Sequence, residues 1–141
     1  MKKAKLILLT LIIFGAAINP IQAKQSTEII PQNQPPTIME LAFLRFLGNT
    51  ILEVMYNHGD NQLFMAERIE KITQNVENDT YDITLHVIGF EGAHNPPYKL
   101  IQMTIRIPGK DGDYEVINYK SRIISGKEFK ELSDDIEEKL P

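Results

Sequence analysis

The pattern that most constrains this chain is a pair of segments in which apolar residues recur at every second position. Tyr81, Ile83, Leu85 and Val87 alternate with Asp82, Thr84 and His86, and Ile101, Met103, Ile105 and Ile107 alternate with Gln102, Thr104 and Arg106. A period of two places each apolar set on one side of a pleated strand, so both segments read as strands with one face in a core and the other toward water. Two further strands flank them. One, over about 63–73, has Phe64 and Ile69 on opposite faces and alternates poorly enough to suggest a bulge. The other, over about 114–123, buries either Ile117, Tyr119 and Ile123 or the alternate set with Val116. Loops fall at 74–79, 91–97 and 108–113, the last carrying the turn Gly109-Lys110-Asp111-Gly112. No helix separates the strands, so the sheet is an antiparallel meander of four strands.

Two helices bracket that meander. Thr37 follows a proline pair and Glu40 stands three residues later, the spacing of a capping box. Projected as a helix, residues 38–57 put Leu41, Phe43, Leu44, Leu47, Ile51, Leu52, Val54 and Met55 on one half, and Arg45, Asn49, Thr50, Glu53 and Asn57 on the other. Gly59 after His58 supplies the stop, and a histidine there is favourable at a helix C-terminus. Arg45 and Glu53 would each cost about 2.5–3.5 kcal/mol near a bilayer centre, so this is a core helix and not a span. Phe46 lies in the polar arc; either another element covers it or it is exposed for a partner. At the other end Ser125 and Glu128 repeat the capping-box spacing. Phe129, Leu132, Ile136 and Leu140 follow as a stripe, opposite Glu131, Asp134, Asp135, Glu137 and Glu138. That is an amphipathic helix with a solvated acidic face. The expected fold is α+β: an N-terminal helix packed on a curved four-stranded antiparallel meander, with a C-terminal amphipathic helix (αββββα).

The segment before the first helix reads as an address. Lys2, Lys3 and Lys5 precede an apolar run over 6–18, Asn19-Pro20 breaks it, and Ile21-Gln22-Ala23 offers a small residue before a cut. This is the order of a secretory signal peptide, and the run is short of the ~20 residues that cross a bilayer. Residues 1–23 are therefore expected to be removed, 24–36 to form a flexible proline-rich linker, and 37–141 to form a single domain. The chain would be secreted or held at the cell surface, meeting the membrane only through the signal peptide before cleavage. Three lysines and no acids leave with that segment, so the formal net charge of −4 becomes −7. An acidic balance argues against nucleic acid as a partner. The absence of cysteine excludes disulfide frameworks, thiolate metal sites and cysteine nucleophiles. A disulfide-free exported domain fits a Gram-positive cell, where oxidative folding is less used.

The most distinctive stretch is Phe90-Glu91-Gly92-Ala93-His94-Asn95-Pro96-Pro97-Tyr98. The proline pair fixes two φ angles and pushes Asn95 and Pro96 toward extended geometry, which makes a stiff loop that presents an imidazole. Glu91 and His94 offer an acid–base pair, or join His86 as metal ligands. A rigid hairpin whose His94 and Asn95 satisfy local backbone groups is the simpler reading, and His86 reads as a solvated strand residue. No serine has a recognisable nucleophile elbow around it, and the chain holds three histidines. No catalytic residue, metal ligand or cofactor is therefore assigned. Glu91, His94, Asn95, Pro96, Pro97 and Tyr98 are the candidate contacts for a ligand or a protein or peptide partner, because stiff loops lose little entropy on binding.

These residues carry a resemblance. The Gly92-Ala93-His94-Asn95-Pro96-Pro97-Tyr98 core, with the signal peptide, capped helix and strands, resembles the exported proteins of spore-forming Gram-positive bacteria grouped as domain-of-unknown-function family 3888. The resemblance spans about 37–123; Lys99 stands where members show Gly, and the extension from Ser125 departs from them. It implies secretion and a compact α+β domain, and it implies no activity. One helix followed by a meander is also similar to the cystatin fold, with Gln74-Asn75-Val76-Glu77-Asn78 where cystatins place Gln-x-Val-x-Gly. Asn78 replaces the glycine and no Pro-Trp pair follows, so that likeness concerns topology. The expected role is a small exported non-enzymatic domain that binds a partner at the cell surface. The alternatives are a metal- or acid–base-dependent hydrolase using Glu91 and His94, and an envelope or spore-associated structural protein.

Overall fold

A computed structural model describes residues 25–137, with side chains as far as 133. The expected signal peptide and residues 138–141 lie outside the described residues. In chain order the elements are β1 (Gln25–Ile29), α1 (Ile38–Asn57), β2 (Leu63–Asn75), β3 (Thr80–Glu91), β4 (Asn95–Ile107), β5 (Glu115–Ile124) and α2 (Gly126–Glu137). The strands form one antiparallel sheet in the order β1-β2-β3-β4-β5. The fold is α+β as the periodicity implied, with five strands where four were expected.

The additional strand, β1, corrects the reading of 24–36 as a flexible linker. Gln25 pairs with Asn75 and Ile29 with Lys71, and the Thr27 and Thr73 hydroxyls meet at 3.1 Å. All five residues are exposed, so no apolar alternation marks the strand in the sequence. The proline-rich turn behind it is pinned as well: Ile30 N–H donates to the Glu70 carbonyl at 2.9 Å, and Gln32 Nε2 donates to the Ile69 carbonyl at 2.8 Å.

Helix α1 starts where the capping signal placed it. Thr37 is extended, and its hydroxyl accepts from Glu40 N–H at 3.1 Å. It ends at Gly59, whose φ of 85° is open to glycine and strained for other residues. Leu44, Leu47, Ile51, Val54 and Met55 pack against Ile69, Ile83, Leu85, Val87, Ile101, Met103 and Ile105. The inward faces of β3 and β4 are thus the ones their alternation named. Strands β2, β3 and β4 hold 12 or 13 residues, about 40 Å. They outrun an α1 of ~30 Å, so Tyr81 at one end is exposed and the 91–95 hairpin projects at the other.

Bulges settle the two strands left ambiguous. In β2 the register shifts between Met65 and Arg68, where Ala66 takes a φ of 53°, and again between Ile69 and Lys71. In β5 Asn118 pairs with Thr104 and Val116 with Ile105, which skips Ile117. That skip lets Val116 and Tyr119 both face the core and leaves Ile117 and Ile123 exposed, so neither expected set is buried whole.

Helix α2 sits on the opposite side of the sheet from α1. Tyr98 and Arg122, both on the outer face, stack on Phe129 and pair with Glu128 respectively. Phe46 therefore stays uncovered, at 79% exposure. No helix among the described residues is long and apolar enough to cross a membrane.

Candidate functional site

The six residues singled out in the sequence lie together at the projecting end of the β3–β4 hairpin. The loop is shorter than the expected 91–97: Glu91 closes β3, Gly92, Ala93 and His94 turn, and Asn95, Pro96 and Pro97 already belong to β4, with Asn95 opposite Glu91. Gly92 and His94 both have a φ of 58°. For histidine that left-handed conformation costs on the order of 1 kcal/mol, so the surrounding contacts must hold it.

Those contacts are aromatic and polar. The His94 ring meets Phe90 edge to face with centroids 4.6 Å apart. Its carbonyl accepts from the Tyr98 hydroxyl at 2.8 Å, and the Tyr98 ring stacks on Phe129 at 3.9 Å and 6°. Residues 91–97 are exposed and Tyr98 is half-buried. The tip is at once accessible and locally fixed. The expected acid–base pair is not formed, because no hydrogen bond or ion pair among the described residues joins Glu91 and His94. The third candidate ligand for a metal site, His86, is engaged elsewhere, and no three His, Asp or Glu side chains converge among the described residues.

Below the tip the hairpin is clamped to the end of α1. Asp60, 5% exposed, accepts from Lys99 Nζ at 2.5 Å and from the Tyr119 hydroxyl at 2.6 Å. The Tyr119 ring stacks on His58 at 4.1 Å, and His58 Nδ1 reaches the Val54 carbonyl at 2.7 Å. Burial pushes the Asp60 carboxyl up, but hydrogen bonds from Lys99, Tyr119 and Ser121 outweigh it and hold the group below the usual carboxylate range. Burial first, and then the Asp60 carboxylate, push the Tyr119 hydroxyl well above the ordinary tyrosine value. Each Asp60 oxygen accepts one of these bonds, so the carboxylate ties β4 and β5 to the end of α1. Gln62 Nε2 adds a bond to the Pro97 carbonyl at 3.1 Å, and a Cβ at Gly89 would come within 2.7 Å of Gln62 Oε1. Asp60 comes from the α1–β2 loop, Lys99 from β4 and Tyr119 from β5, and nothing in their sequence spacing marked them.

A third cluster lies on the outer face of the sheet. His86, Gln102 and Lys120 are cross-strand neighbours on β3, β4 and β5. Glu70, displaced toward them by the β2 bulge, accepts from His86 Nδ1 at 3.0 Å and from Gln102 Nε2 at 2.6 Å. His86 is thus not the solvated residue its alternation suggested; its side chain is 15% exposed. Comparisons of the chain with protein-family models, with curated proteins and with solved structures find no match.

Proposed function

We propose that the chain is a small exported, non-enzymatic domain that binds a protein or peptide partner at the cell surface through the 91–98 tip. The observation that carries this reading is the combination at the tip of exposure over 91–97 with local fixation by the Phe90–His94 and Tyr98–Phe129 contacts. A surface ordered before binding loses little conformational entropy on complex formation. Export rests on the 1–23 segment and on the resemblance of residues 92–98 to domain-of-unknown-function family 3888. The order of strand, helix and four-stranded meander further supports a cystatin-like arrangement, from which no inhibitory function is taken.

The test is affinity capture from the producing cell's envelope with the wild-type domain and with a Glu91→Ala/His94→Ala/Asn95→Ala variant. These side chains are exposed, so the fold should survive, which circular dichroism verifies. A partner retained by the wild type and lost by the variant supports the tip; identical partner sets for the two proteins defeat it.

One observation favours a second reading, an envelope structural protein. Met39 and Phe46 stand seven residues apart, nearly two turns, on one exposed line of α1. Self-association through them would appear as concentration-dependent sedimentation that Phe46→Ser abolishes. A strictly monomeric profile removes this reading.

A further inference from the structure

The outer-face cluster leaves specific groups unengaged, and they define a ligand. Glu70, as a carboxylate, can only accept, so His86 Nδ1 carries the proton it shares at 3.0 Å and Gln102 turns its amide nitrogen toward Glu70 at 2.6 Å. Both orientations are thereby set. In that tautomer His86 is left with Nε2 as an acceptor, and Gln102 is left with Oε1 as an acceptor. Beside them Lys120 is exposed and, among the described residues, has neither hydrogen-bond nor ion-pair partner. Arg122, one step along the same face of β5, is paired with Glu128.

These residues line a groove of about 500 Å³ together with Leu100. That volume falls within the ~300–1,000 Å³ usual for small-molecule sites. The His86–Gln102–Lys120 row crosses three adjacent strands, a span of about 10 Å. The β5 end offers a free cation, and the middle and the β3 end each offer an oriented acceptor, with an apolar side chain alongside.

We infer that this groove is a binding site for a small carboxylate that also carries hydrogen-bond donors, its carboxylate meeting Lys120 and its donors meeting His86 Nε2 and Gln102 Oε1. Hydroxy acids and amino acids share this chemistry. The site is separate from the tip, so it stands or falls independently of partner binding there. Glu70 is a positioning residue in it, since it touches the two acceptor side chains and not the ligand.

Titration calorimetry of the purified protein with D-gluconate, L-alanine and propionate tests it. Gluconate, or alanine if the donor is an ammonium group, should bind, and propionate, which lacks donors, should bind at least about tenfold more weakly. Lys120→Met should weaken the bound probe at least about tenfold, whereas Lys127→Met, an exposed lysine on α2, should leave it unchanged. Glu70→Gln should weaken binding through the lost orientation of His86, and nuclear magnetic resonance should then report a changed His86 tautomer, which a purely structural role for Glu70 would not require. Absence of heat and of shifts at the Gln102 amide with both gluconate and alanine overturns the site. Equal affinity for propionate, or an unchanged affinity in Lys120→Met, also overturns it.

Discussion

Helices α1 and α2 begin with the same local device and weigh very differently in the structure. Each has a hydroxyl N-cap that accepts the N–H of a glutamate three residues on, at 3.1 Å in both. In both, the glutamate side chain pairs with an arginine on a strand, Glu40 with Arg68 and Glu128 with Arg122. The Glu40–Arg68 pair is buried, and Glu40 Oε1 also accepts from Ile69 N–H at 3.0 Å. The Glu128–Arg122 pair is open to water, where ion pairs contribute little. A capping box therefore marks where a helix starts and leaves open whether its glutamate is a tertiary strut. Burial decides that, because an isolated buried charge is costly and an exposed one is hydrated.

The strongest way to break this contrast is Glu40→Ala. It strands the Arg68 guanidinium and the Ile69 amide, and urea unfolding should show a loss of about 3–5 kcal/mol. A loss no larger than that for Glu128→Ala would remove the distinction. Next comes the packing that α1 supplies: Ile51→Ala, at a fully buried position, should cost about 3 kcal/mol by the same measurement. The clamp beyond the helix end comes third. Asp60→Asn should cost roughly 2 kcal/mol near neutral pH by weakening charge-assisted bonds from Lys99 and Tyr119. Its pH dependence has a definite sign. The folded carboxyl titrates below the unfolded one, so its stabilisation is complete above the unfolded value near pH 4 and fades as pH falls through the folded value. The wild type should lose stability on acidification more steeply than the Asn variant. The caps come next, with Thr37→Ala costing about 1 kcal/mol. Glu128→Ala should leave the global unfolding midpoint in place.

Much of the fold was legible because the inward faces of β3 and β4 are apolar at every second position. Ile83, Leu85, Val87, Ile101, Met103 and Ile105 announce themselves by alternation, and all are buried. Strand β1 was not legible, since Gln25, Ser26, Thr27, Glu28 and Ile29 are all exposed and backbone pairing to an edge needs no apolar pattern. The β5 bulge was hidden too, because skipping one residue exchanges the faces on either side of it. At the tip, the cluster and its stiffness were read from the proline pair. Its support from Phe129 was not, since nothing local says which face of the sheet the last helix covers. The outer-face groove was half visible: His86 and Gln102 were both assigned outward, and stepping in opposite directions along the hairpin pairs them. Glu70 joins them through the displaced register of a bulged strand.

By itself, then, the sequence determined what depends on neighbours a few residues away: the periods of two and of 3.6, the two caps, the stop at Gly59 and the stiff run through Pro96-Pro97. The tertiary structure decided what depends on register and on the choice of face. Asp60 meets Lys99 and Tyr119 across 39 and 59 residues of chain, and Glu70 meets Gln102 across 32. Such meetings follow from the accumulated turns and bulges between them, each able to shift a strand by one residue, and a shift of one residue moves every side chain beyond it to the opposite side of the sheet.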